Sequence, residues 1–338
     1  MARAVFGILG LVMACAGSTG TARNEVTFTA YSPLARNEEI ARRALSPLTY
    51  RRLHEALAAR HDALADQTID LARERFDLYI PGGPPPARGY GLLVYVAPWD
   101  DATQPQRWRG PLDDHGLVFV AARRSGNTHN VLDRRLPLAV LAAENVRAQL
   151  PIDPARIYVM GLSGGSRVAE IAAMAFPDLF RGAVLNAGAD PIDGDFGMYK
   201  PPLELFRAFQ RSRLVFITGD ADEDNRKQED LAQRSLRRAC VLDLRTEVAL
   251  GLGHEALDAR SLATALDALD QPAAIDAAEL RRCDAGTAVE LENALRDASA
   301  AIARGARDQA RALLKAIDAR YSGLAATQLL ELDARLEH

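Results

Sequence analysis

The chain has 338 residues, 48% of them apolar, enough to bury one large core or a core with a smaller appendage. Its formal net charge of −4 comes from interspersed acids and bases rather than blocks. That leaves no basic footprint and argues against a nucleic-acid partner.

The first twenty residues, "MARAVFGILGLVMACAGSTG", carry a basic start at Arg3, an apolar run from Ala4 to Ala14, and then Cys15 followed by small residues. This is the layout of an export signal, with an apolar run too short to span a bilayer as a permanent helix. The "VMAC" ending resembles the lipobox of bacterial lipoproteins, in which the cysteine becomes the lipidated first residue of the mature chain. The expectation is therefore an exported protein held at the bacterial cell envelope, periplasmic or surface, by lipid on Cys15, with plain secretion as the alternative. Arginine dominates the basic residues, lysine occurring only at Lys200, Lys227 and Lys315, in keeping with a GC-rich bacterial genome. Cys240 and Cys283 remain as an even pair in an oxidising compartment, either bridged or buried as two separate thiols.

Beyond a short polar segment, "RERFDLYIP", "GYGLLVYVAP" and "GLVFVAA" read as strands, "PLAVLAAENVRAQL" as a helix, and "RIYVM" as the next strand. Farther on, "RGAVLNAG", "SRLVFITG" and "LRTEVAL" are short, apolar and flanked by glycine or polar turns. Continuous apolar strands between helices indicate a mainly parallel, doubly wound α/β sheet covered on both faces. From about Gln271 the pattern is helical only, punctuated by Gly305 and Gly323, which predicts a small C-terminal α-helical tail of about three helices. Its Ala306, Ala310 and Leu314 are expected to face a groove or the main core rather than complete a core of their own. The resulting division is 1–20 signal peptide and short linker, 21–270 α/β domain and 271–338 helical tail.

Between "IYVM" and a helix begun by Val168, Ile171, Ala172 and Ala175 at helical spacing stands "GLSGGS". A serine at so sharp a strand-to-helix turn needs small residues two before and two after it, and Gly161 and Gly165 are those residues around Ser163. A serine hydroxyl needs an imidazole to take its proton and a carboxylate to hold that imidazole. Among six histidines, His254 in "VALGLGHEAL" directly follows a strand and sits in a glycine-flanked loop, where open α/β sheets collect reactive groups. The acid belongs in "GDADEDN", which offers Asp220, Asp222, Glu223 and Asp224.

The order "GLSGGS", "TGDADEDN", "GLGH" resembles the α/β-hydrolase serine esterases, and within them the polyhydroxybutyrate-depolymerase-like and feruloyl-esterase-like branch. The likeness covers roughly Phe76 to Leu262. It implies an α/β-hydrolase domain that cleaves carboxylic esters with Ser163, Asp222 and His254, without metal or organic cofactor. The acid is implied by the family's G-x-x-D pattern after Gly219, which selects Asp222, with Asp220 the alternative. Relatives often carry His-Gly after the third strand, whereas this chain reads "VYVAPWDD". Aligned strand ends put Pro98, which has no N–H, at the glycine, and Trp99 at the oxyanion donor, to be paired with the Gly164 N–H. Only a loop and one short helix lie between "LNAGAD" and the strand at Leu214, so a large lid is not expected, and Phe196, Met198 and Tyr199 are candidate rim contacts.

The expected partner is a small-molecule or oligomeric ester, besides the membrane reached through Cys15. Three alternatives stay open: a peptidase or an acyltransferase using the same three residues, or a catalytically silent scaffold binding a protein partner through the tail.

If Cys15 is lipidated, the mature protein begins at Cys15 and partitions with membranes, because each buried methylene contributes about 0.8 kcal/mol and two or more chains hold stably. Mass spectrometry of native protein checks this. A soluble form cleaved after Ala16 or Gly17 would refute it, and Cys15→Ala should leave the precursor unprocessed by the lipoprotein route.

Overall fold

The apolar runs lie side by side in one eight-stranded sheet in the computed structural model, which describes residues 20–192, 198–271 and 275–337. The export signal with Cys15, and Phe196, lie outside the described residues. The strands are β1 (Thr21–Val26), β2 (Phe76–Ile80), β3 (Tyr90–Val96), β4 (Leu117–Ala122), β5 (Ile152–Leu162), β6 (Gly182–Asn186), β7 (Arg213–Gly219) and β8 (Leu244–Ala249). Their order across the sheet is β1-β2-β4-β3-β5-β6-β7-β8. β2 runs antiparallel to both β1 and β4, and every pairing from β4 through β8 is parallel.

β1 was not foreseen. Its "TARNEV" is almost wholly exposed and has no apolar alternation, so it pairs through its backbone at the sheet edge and leaves no hydrophobic period to read.

Helices α1 (Asn37–Ala44), α2 (Pro47–Ala58), α3 (Arg109–Asp114), α4 (Leu136–Gln149), α5 (Gly164–Ala175), α6 (Leu203–Phe209), α7 (Glu223–Arg238) and α8 (Ala259–Asp270) accompany the strands. The period of two along β3 separates the layers. Leu92, Val94 and Val96 point into a core shared with α1, α4, α5, α6 and α7. Leu93, Tyr95 and Ala97 point into the opposite one, shared with Trp108, α3 and α8. Parallel strands buried on both faces are uniformly apolar for this reason.

The tail comprises α9 (Ala277–Ala303), α10 (Arg307–Tyr321) and α11 (Ala326–Glu337). Contrary to the sequence expectation, it closes a core of its own. Ala298 and Ala301 of α9, Ala310, Leu314, Ile317 and Tyr321 of α10, and Leu329, Leu332 and Leu336 of α11 form one cluster, joined from the main domain by Leu48. Ala306 is the residue preceding α10 and lies outside that cluster. An apolar stripe shows that a helix buries one face, but not which surface receives it.

Specific polar contacts fasten this bundle. Asp318 of α10 accepts the Ser46 hydroxyl at 2.6 Å and the Leu48 N–H at 3.2 Å, a carboxylate seated on the N-terminus of α2 where unpaired donors and the helix dipole favour negative charge. Arg51 reaches Asp333 and Glu337 of α11. Cys240, just past α7, is joined to Cys283 of α9 by a disulfide with Cα atoms 5.7 Å apart.

Removing the Asp318 carboxylate strands the Leu48 N–H on the first turn of α2 and leaves the Ser46 hydroxyl with Thr49 alone. Asp318→Ala is expected to cost about 1–3 kcal/mol and lower the thermal midpoint by several degrees, with Asp318→Asn, which keeps an acceptor, losing less. Thermal melts followed by circular dichroism decide it: an alanine variant melting with the wild type would show that the contact contributes nothing.

Candidate active site

Ser163 sits between β5 and α5 with φ 56° and ψ −122°, a conformation that costs a non-glycine residue on the order of 1–3 kcal/mol. Close backbone approach holds it there. A β-carbon at Gly161 would lie 2.2 Å from Gly165 backbone, and one at Gly165 would lie 2.0 Å from the Val96 carbonyl oxygen of β3. The two glycines flank the turn because no side chain fits between the crossing backbones.

The histidine and the acid come from neighbouring strand ends. His254 follows β8, and Asp222 follows β7 as the residue preceding α7. His254 Nε2 lies 2.9 Å from Ser163 Oγ, and His254 Nδ1 lies 2.7 Å from Asp222 Oδ2. A carboxylate at Nδ1 keeps the proton on that nitrogen, which leaves Nε2 free to accept from the serine hydroxyl. Asn225, on the first turn of α7, donates to Asp222 with its amide nitrogen 3.0 Å from both carboxylate oxygens. Burial acts to raise the Asp222 carboxyl, but hydrogen bonds from Asn225 and His254 outweigh it and hold the group below the usual carboxylate range. The Asp222 side chain is 9% exposed and the His254 side chain 47%. Asp220, the alternative acid, points elsewhere: its Oδ1 accepts the Gly251 N–H at 2.9 Å and shapes the turn after β8.

The donor side is built from three segments. Gly164 opens α5, so its N–H belongs to a helix terminus that has no intrahelical acceptor, and the helix dipole adds positive potential there. Trp99 lies in the loop after β3, 48% exposed, and among the described residues no acceptor meets its backbone N–H. Asp100 ties that loop to the one after β4, accepting the Gly126 N–H at 3.0 Å and His129 Nε2 at 3.0 Å. Beneath both loops lies Arg135, 3% exposed, at the end of a π-helical turn, Val131–Arg135. Its guanidinium donates to the carbonyls of Ser125 at 2.8 Å, Gly164 at 3.2 Å and Ala97 at 3.1 Å. Burial pushes this arginine down to about 10.

Sequence reasoning missed Arg135 and Asn225. Only Asn225 carried a signal, standing three residues after Asp222 at capping distance. Two other histidines lie elsewhere, His54 beside Glu38 and His115 beside Asp270, and Met198 is buried in the main core rather than on the rim.

The strand order, two antiparallel pairings followed by a parallel sheet, with a serine elbow after β5, an acid after β7 and a histidine after β8, defines the α/β-hydrolase fold. No protein-family model matches the sequence. The chain is similar to the poly(3-hydroxyalkanoate) depolymerase C of Paucimonas lemoignei, 41% identical over 66 residues, and to a poly(3-hydroxybutyrate) depolymerase of Ralstonia pickettii, 29% identical over 98 residues. These matches cover 20% and 25% of this chain and only 14% and 20% of the relatives' own lengths. Among solved structures it is similar to a poly(3-hydroxybutyrate) depolymerase from Bordetella parapertussis, with TM-score 0.45 and 18% identity, covering 62% of this chain and 88% of the other. An S-formylglutathione hydrolase from Staphylococcus aureus gives TM-score 0.44 and 12% identity over 57% and 91%. The relatives found by sequence lie in the polyhydroxybutyrate-depolymerase branch that the motifs resemble.

Behind the site two acids are buried. Glu170 of α5 accepts the Asp190 N–H at 2.9 Å with one carboxyl oxygen, while the other has no partner among the described residues, and burial pushes the group up to about 8. Glu229 of α7 bonds the Thr218 hydroxyl and is pushed up to about 7, also by burial. Each carboxyl thus binds its proton more tightly in the folded than in the unfolded chain. Their contribution is fully present below the unfolded carboxylate pKa of about 4.3, and is lost as pH rises through the folded values. Glu170→Gln removes one of these titrations. Its melting curve should match the wild type at about pH 4 and show added stability on the order of 1–3 kcal/mol near pH 8–9. A difference between the two proteins that does not change with pH would contradict it.

Proposed function

We propose that the chain is a serine hydrolase that cleaves carboxylic esters through an acyl-enzyme intermediate. The observation that carries this reading is the hydrogen-bonded line from Ser163 Oγ through His254 to Asp222, mounted on a strained elbow. His254 Nε2 takes the hydroxyl proton as Oγ adds to the ester carbonyl, and Asp222 stabilises the imidazolium. The Gly164 and Trp99 N–H groups receive the oxyanion, and two such donors supply several kcal/mol of transition-state stabilisation. The imidazolium then protonates the departing alkoxide, and water repeats the cycle on the acyl-enzyme. No metal or organic cofactor enters these steps.

The depolymerase names of the sequence relatives support an ester over an amide, and the half-exposed His254 and Trp99 suit a bulky or oligomeric ester. Export and anchoring through Cys15 belong to the same proposal, resting on the "VMAC" sequence. A fluorophosphonate probe should label Ser163, and absence of an adduct in folded protein would favour the silent scaffold.

Ser163→Ala should lower kcat on an activated ester by about 10⁶ with the fold intact. Asp222→Asn should cost about 10⁴ by stabilising the wrong tautomer of His254. Asp220→Asn, which still offers Gly251 an acceptor, should stay near wild type. A crippled Asp220 variant beside a near-normal Asp222 variant would reverse the assignment of the acid, and turnover retained in Ser163→Ala would overturn the mechanism.

A further inference from the structure

Asn127 stands where the donor side of the site closes. Its backbone N–H donates to the Pro98 carbonyl at 2.9 Å, one residue before Trp99. Next to it, Gly126 lies so close to the oxyanion loop that a β-carbon there would come within 2.8 Å of the Trp99 carbonyl carbon. The Asn127 side chain crosses to the other donor. A β-carbon built on Gly164 would meet Asn127 Oδ1 at 2.3 Å, Cγ at 2.8 Å and Nδ2 at 3.0 Å. The amide therefore fills the volume that a side chain at position 164 would take, beside the residue that follows Ser163.

The amide has no structural employment. Asn127 is exposed, and among the described residues no hydrogen bond engages its side chain. The backbone beneath it is held: Arg135 binds the Ser125, Gly164 and Ala97 carbonyls on one guanidinium, tying the loop that carries Asn127 to both donor segments. A half-turn about the last side-chain torsion exchanges nitrogen for oxygen without changing volume, so either end can face a ligand.

We propose that the Asn127 amide is a third donor to the oxyanion and a catalytic residue of the ester hydrolysis proposed above, on which this inference rests. As Ser163 Oγ bonds to the carbonyl carbon, the carbonyl π pair moves to oxygen and the Oγ proton passes to His254. The oxygen then accepts from the Gly164 N–H, the Trp99 N–H and Asn127 Nδ2. When the intermediate collapses, the pair returns, the bond to the leaving alkoxide breaks, and His254 returns the proton to it.

The test uses the whole protein. Fluorophosphonate labelling and turnover of a p-nitrophenyl ester by the wild type come first, since failure of both would overturn the ester-hydrolase reading and this inference with it. Asn127→Ala is then expected to lose about 10²–10³ in kcat with KM changed only a few-fold, the scale of a lost oxyanion donor. Asn127→Asp keeps the shape but offers a negative charge in place of the donor, and should fall further still. Affinity for a boronic acid that mimics the tetrahedral adduct should drop in parallel. With an active wild type, an aspartate variant as fast as wild type would show that only shape matters, and losses confined to KM would assign the residue to ground-state binding; either result overturns the proposal.

Discussion

The left-handed backbone at Ser163 is the constraint around which the rest is arranged. It places the hydroxyl above the carboxyl edge of the sheet, and it persists only because backbones pass one another without side chains at Gly161 and Gly165. The strained turn is over-determined from both sides. β5 is fixed by parallel pairing with β3 and β6, and α5 is fixed by an apolar face buried in the main core. With the serine held, the imidazole and the carboxylate need only arrive on the loops after β8 and β7, which end at the same edge.

The electrostatics of the site follow from what is buried and with which partner. Arg135 is a cation surrounded by carbonyl dipoles, and its fork geometry lets one side chain join three segments, which a lysine's single ammonium could not reproduce. Directed hydrogen bonds outweigh burial at Asp222 and hold its carboxyl below the usual range, whereas at Glu170 and Glu229 burial outweighs the hydrogen bonds each accepts and pushes the carboxyl up. Three carboxyls in this part of the fold are thus shifted in opposite directions by their surroundings.

Helix α7 links the site to the tail. Asp222 immediately precedes its first turn, and the disulfide from Cys240 to α9 lies just beyond its last. The tail meets the main domain again at the Asp318 contact on α2. Both attachments act on helix ends, where backbone groups are unpaired and a single contact has most leverage.

The sequence by itself determined the α/β class, every strand of the parallel sheet, and the serine, because an apolar run between turns and a glycine-flanked serine are local patterns. It narrowed the acid to the loop after Gly219 and the histidine to "GLGH". Only the tertiary structure showed that Asp222 rather than Asp220 meets His254, since the two lie two residues apart in one loop and differ in what they face: His254 in one case, Gly251 in the other. The sequence left open whether Cys240 and Cys283 are bridged, and gave no sign of the tail's own core or of edge strand β1, each depending on residues distant in the chain. Arg135 is the clearest instance. It acts on backbone atoms of other segments, and such contacts leave no periodicity or spacing in the residue that makes them.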